Sequence, residues 1–108
     1  MPYGSVPPGT LVMLVLRVLQ SGPLHGYAVA QRIHQLSSDA LQVEEGSLYP
    51  ALQRILVKGW AKAEWGVSET GRRVRFYRLT PAGRKQLASE MAGYERTSDA
   101  IRSILKLA

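Results

Sequence analysis

The chain contains no cysteine, which excludes disulfide frameworks, thiolate metal sites and cysteine nucleophiles together. Long hydrophobic runs are also missing. The most apolar stretch, Leu11 to Leu16, continues past Arg17 to Leu19 and falls well short of the roughly 20 residues of a membrane span. There is no basic leader with a small-residue cleavage site, so a cytoplasmic setting without a membrane partner is expected. Histidine is scarce: His25 and His34 stand nine residues apart, outside any HExxH pattern, and read as structural or solvent-facing side chains rather than metal ligands. Glu44 and Glu45 are adjacent, so in an extended segment they point to opposite faces instead of forming an acid pair. Gly22 and Gly26 belong to no phosphate-binding loop. No catalytic constellation, cofactor motif or metal site is legible, and an enzyme is not expected.

Acidic residues are scarce in one segment in particular. Residues 1–53 hold two basic and three acidic side chains, and residues 86–108 hold three of each. Residues 54–85 hold nine Lys or Arg against Glu64 and Glu69 alone. The whole surplus behind the formal net charge of +6 is thus confined to one segment, which reads as a footprint for a polyanion. Nucleic acid leads and an anionic membrane surface is second.

What is present fits one globular domain: 108 residues, 45% hydrophobic and 20% charged, suffice for one core. Residues 1–9, with three prolines and two glycines, carry no periodic pattern and read as a flexible arm. Thr10 to about Gln20 is a helix apolar nearly all round. It is either a central core helix or one that also meets a partner subunit. Ser21-Gly22-Pro23 ends it. A second helix runs from near His25 to Leu36, with Val29, Ile33 and Leu36 marking its inward face. After a turn at 37–39 and a short extended stretch, a third helix opens with Ser47 as its N-cap. That cap puts Pro50 at the third helical position, where no intrahelical bond is lost. Leu48, Leu52, Ile55 and Leu56 form its stripe, and Gly59 stops it.

Two strands, roughly 60–65 and 74–79, flank a long loop with a mobile tip. Thr80-Pro81 starts the last helix, along which Leu87, Met91, Tyr94, Ser98, Ile101 and Leu105 recur at alternating spacings of four and three, a heptad seam suited to another long helix. The expected fold is therefore mainly α with a small β-hairpin. It is a winged helix-turn-helix over residues 10–79, followed by a C-terminal dimerisation helix over 80–108.

In such a fold the third helix enters the major groove and the hairpin lies over the flanking backbone. Arg72, Arg73 and Arg75 at the hairpin are placed for phosphate. On the third helix Ser47, Tyr49, Gln53 and Arg54 lie where bases or phosphates are reached, and Gln53 suits adenine as Arg54 suits guanine. The dimerisation residues are Leu87, Met91, Tyr94, Ile101 and Leu105.

The stretches Gly22-Pro-Leu-His-Gly-Tyr27, Glu45-Gly-Ser-Leu-Tyr-Pro50, Gly59-Trp60 and Tyr77-Arg-Leu-Thr-Pro-Ala-Gly-Arg84 together resemble the PadR family of transcriptional regulators, from Gly9 to Leu105. The resemblance implies a homodimer binding a double-stranded DNA operator, usually as a repressor, on the nucleoid of a bacterial-type cytoplasm. It further implies the last helix of each subunit packing on the first and last helices of the other, and Tyr49 near a DNA phosphate. The short length resembles the multidrug-sensing branch, in which a small aromatic effector occupies a pore at the dimer centre and stacks on a tryptophan of the final helix. This chain has Tyr94 there instead, so Tyr94 and Met91 are the candidate ligand contacts, while Trp60 and Trp65 sit at the hairpin. A protein-interaction or membrane-surface module stays open as an alternative. A multiple-antibiotic-resistance type regulator fits less well, because its extra terminal helices have no room in this chain.

Overall fold

The first helix is apolar at eight of its nine positions, and the fold is built around it. In the computed structural model, which describes residues 4–6 and 9–107, elements β1 (Gly4–Ser5), α1 (Leu11–Leu19), β2 (Leu24–His25), α2 (Gly26–Leu36), β3 (Leu41–Gln42), α3 (Glu45–Val57), β4 (Ala61–Val67), β5 (Arg73–Leu79) and α4 (Pro81–Leu105) follow in order. Helix α1 packs against α2, α3, α4 and β5, with Val15, Leu16, Val18 and Leu19 buried. Each such aliphatic side chain contributes about 1.5–3 kcal/mol when withdrawn from water. Leu11, Val12 and Leu14 are only partly covered. Of the expected arm, residues 1–3, 7 and 8 lie outside the described residues, and Gly4–Ser5 pairs in parallel with Leu41–Gln42.

Helix α2 is capped by His25, whose Nδ1 accepts from the Ala28 N–H at 3.3 Å. Val29 and Ile33 face the core as the spacing predicts, but Leu36 is 62% exposed. It stands in the last turn, just before the chain reverses through Ser38 and Asp39 in left-handed conformation (φ 54° and 65°), and no element covers it.

Helix α3 begins earlier than expected. Glu44, not Ser47, is its N-cap, and the Ser47 and Leu48 N–H groups both donate to the Glu44 carbonyl, at 3.0 and 2.9 Å. Pro50 therefore lies six positions into the helix and removes the bond to the Gly46 carbonyl. Both residues are exposed, so water can satisfy that carbonyl, while Glu45 in the first turn complements the helix dipole. The stop is as expected: Gly59 adopts φ +74°, and Trp60 N–H to Ile55 O and Gly59 N–H to Leu56 O, each 3.0 Å, close a Schellman motif.

The hairpin is longer and its turn shorter than the glycine pattern suggests. Pairing runs from Ala61↔Leu79 to Val67↔Arg73, leaving only 68–72 as the turn. That turn is tied internally rather than loose: Ser68 N–H donates to Arg72 O at 2.8 Å and Gly71 N–H to Ser68 O at 2.9 Å, and Arg72 N–H donates to Ser68 Oγ at 3.2 Å. A third strand enlarges the hairpin to a sheet of order β2-β5-β4, with Leu24↔Tyr77 and His25↔Phe76 in register.

Helix α4 is bolted to the root of this sheet. Thr80 Oγ1 accepts from Gly83 N–H at 3.0 Å and donates to Gly59 O at 2.7 Å, and Thr80 N–H donates to Trp60 O at 3.0 Å. Leu87 is buried in the chain's own core cluster, because the first two turns of α4 pack on α1. It is thus unavailable as the first member of an intersubunit seam. Beyond it the helix extends away from the body, and the longest dimension of the molecule is 56 Å.

Candidate nucleic-acid interface

On α3 the apolar stripe of Leu48, Leu52 and Ile55 faces the core, so the opposite arc faces solvent. Ser47, Tyr49, Gln53 and Arg54 are all exposed, but they do not form one row. At about 100° per residue, Tyr49 lies on one edge of the arc and Ser47 and Arg54 on the other. Gln53 stands between them beside Pro50.

Strand alternation sorts the wing's side chains. Ala61, Ala63, Trp65 and Val67 share a face with Leu79, Tyr77, Arg75 and Arg73, their register partners. At the root this face is core; toward the tip it carries Trp65 with two arginines on it. The Arg73 guanidinium lies 4.8 Å from the Trp65 ring centroid and that of Arg75 5.9 Å, both within cation–π range. Arg72 projects from the turn. Among the described residues Arg72, Arg73 and Arg75 enter no ion pair, whereas Arg78, on the opposite face, is bonded to Glu64. Three cations without carboxylate partners, two held against an aromatic plane, are arranged for an external anion.

Between the wing and the helices lies a groove of about 880 Å³, walled by Tyr27 and Gln31 of α2, Tyr49 of α3, and Trp65, Arg72 and Arg75 of the wing. Gly26 permits this approach: a Cβ there would lie 3.3 Å from Tyr49 Cε1 and 3.4 Å from its hydroxyl. Tyr77 also lines the groove, from β5. Burial pushes its phenol above the ordinary value of 10.0; the neighbouring Arg75 pulls it down and Tyr49 adds to the rise. Sequence reasoning missed Tyr27, Gln31, Trp65 and Tyr77. Trp65 was legible in principle, since alternation opposite Arg75 follows once the hairpin register is known. The others depend on how α2 sits against β5, which no local pattern encodes.

The remaining named residues lie on α4. Met91, Tyr94, Ile101 and Leu105 are exposed, together with Ile104 and Leu107, which leaves an uncovered apolar line along the projecting helix. None of them, Tyr94 and Met91 included, lines the groove. No helix among the described residues is long and apolar enough to cross a membrane.

Comparison with known proteins gives a consistent result. The family model described as transcriptional regulator PadR-like family matches residues 15–89. The chain is 35% identical over 81 residues to a transcriptional regulator of Mycobacterium tuberculosis, covering 75% of this chain and 72% of that one. It is 44% identical over 86 residues to an uncharacterized 37.1 kDa protein in a Streptomyces fradiae transposon, covering 80% of this chain but only 23% of that much longer protein. Among solved structures, a transcriptional regulator from Clostridium thermocellum aligns with a TM-score of 0.83 at 28% identity, over 91% of this chain and 95% of that one.

Proposed function

Because the chain belongs to the PadR-like family of transcriptional regulators, we propose that it binds a double-stranded DNA operator as a homodimer and represses transcription from it in a bacterial-type cytoplasm. In this reading residues 10–79 hold the duplex, with α3 in the major groove and the wing over the flanking backbone, and residues 80–108 pair with a second copy. Ser47, Tyr49, Gln53 and Arg54 reach bases or phosphates from α3, and Arg72, Arg73 and Arg75 reach phosphates from the wing. The observation that carries the reading is the pair of arginines on Trp65, without ion pairs among the described residues, of which Arg75 lines the same groove as Tyr49.

Pairing is supported by the uncovered apolar line on α4, since contiguous exposed apolar surface on a small protein marks an interface. Release of the operator is assigned to a small aromatic effector held by Tyr94 and Met91. A phenol ring can stack on a flat ligand, and both side chains are exposed on α4.

Selection of bound duplexes from a random pool tests the operator claim. Two inverted half-sites about one helical turn, or a multiple of it, apart are expected, and a single unrepeated site would count against a dimer. Ile101→Asp places a charge on the α4 line and is expected to sediment as a monomer; a variant that still sediments as a native dimer refutes that pairing surface.

A further inference from the structure

Tyr77 is 6% exposed; its hydroxyl makes no hydrogen bond among the described residues and keeps contact with solvent where it borders the groove. A phenol whose ring is enclosed and whose hydroxyl opens on a groove is a donor available to whatever occupies that groove. The groups around it point to what completes it. Arg75 and Tyr49 are near enough to act on its ionisation, and the first turn of α2, Gly26 to Ala28, forms part of the same lining and presents the positive end of an 11-residue helix. Burial keeps the phenol protonated and therefore a donor.

Glu45 and Glu69 also reach the groove, so Arg72 and Arg75 face two carboxylates there. A groove without net charge does not draw a small anion out of solution. It can accept one that a larger ligand delivers in the right place, and a duplex docked on α3 runs its backbone between that helix and the wing.

Resting on the DNA-binding reading above, we propose that Tyr77 is a DNA-contacting residue. Its hydroxyl donates to one backbone phosphate seated in the groove between the first turn of α2 and the wing, with Arg75 as the cationic partner. In the free protein solvent meets this hydroxyl, and the phosphate takes that place when the duplex docks.

Tyr77→Phe removes only the hydroxyl. Its affinity for a duplex recovered from the random pool is expected to fall about three- to tenfold, the loss typical of one hydrogen bond. The slope of log affinity against log salt should not change, because a neutral donor displaces no counterion. The thermal midpoint should stay level, since the hydroxyl bonds no other group among the described residues. Arg75→Ala should weaken binding and also flatten the slope by about 0.9. Inorganic phosphate, titrated to millimolar concentration against the intrinsic tryptophan fluorescence, should give no saturable response.

Unchanged duplex affinity in Tyr77→Phe overturns the proposal, as does a fall in thermal midpoint that parallels the loss of binding, which would make the hydroxyl structural. Saturable binding of inorganic phosphate that needs Tyr77, with duplex affinity untouched by the substitution, would identify a free-anion site instead. A wild-type chain that binds no duplex sinks the DNA-binding reading itself, an outcome separate from every difference between wild type and variant.

Discussion

Replacing Arg72, Arg73 and Arg75 together with alanine is expected to weaken binding to every duplex, on the order of a hundredfold at low salt, with little change in sequence preference. Phosphate contacts position a protein on DNA without reading bases, so the loss should be uniform across sequences. Each contact removed should also flatten the salt dependence by about 0.9 on a log–log plot. The structure supplies the reason for grouping these three: none is paired with a carboxylate among the described residues, and Arg73 and Arg75 share the Trp65 plane. Arg78 is the matched control, because its guanidinium is already engaged by Glu64 on the other face of the sheet. Filter binding or fluorescence anisotropy over a salt series measures both quantities. A triple variant with native affinity and slope would remove the wing from the mechanism.

Gly83→Ala should be the most damaging single substitution to stability. A Cβ at this position would lie 2.0 Å from the Trp60 carbonyl oxygen and 2.9 Å from its carbon, and a backbone neighbour cannot rotate aside as a flexible side chain can. Helix α4 would have to lift off the root of the wing, stretching the Thr80–Gly83 cap and the Thr80–Trp60 backbone bond. Overpacking of a tight contact costs about 1–3 kcal/mol and loss of an N-cap about 1 kcal/mol. A total near 3 kcal/mol or more corresponds to a fall of roughly 10 °C or more in thermal midpoint for a domain of this size. Thermal unfolding followed by circular dichroism checks it. Because the same junction joins the projecting helix to the wing, the variant should also bind DNA less well at temperatures where it remains folded. A native midpoint would mean that α4 can shift on the body without penalty.

Much of the candidate interface is legible in the sequence. Aromatic and β-branched runs around a glycine-containing loop located the wing, on which part of the surplus charge of residues 54–85 falls, Thr80-Pro81 located the start of α4, and Gly59 located the end of α3. Each of these signals is local: it depends on a residue's own backbone preference or charge, which neighbours in space do not alter. The errors were of a different kind. Ser47 is a good capping residue, but the helix extends back to Glu45 because an exposed Pro50 can be tolerated inside it. Leu36 and Leu87 carry the right periodicity, yet one is left uncovered and the other is enclosed by its own chain. Periodicity gives a face, not what covers it.

The amino-acid sequence by itself determined the order of the helices and the hairpin and the position of the charge, and with them the expectation of a polyanion as ligand. Those properties are read from spacing, composition and backbone preference along the chain. Tertiary structure alone decided that β2 joins the hairpin, that Trp65 underlies two arginines, and that Tyr77 lines a groove. Each of these requires residues of different elements to meet, some far apart in the chain, as in Leu24↔Tyr77. Whether they meet is governed by how the core packs around α1, a collective outcome that no short stretch of sequence encodes.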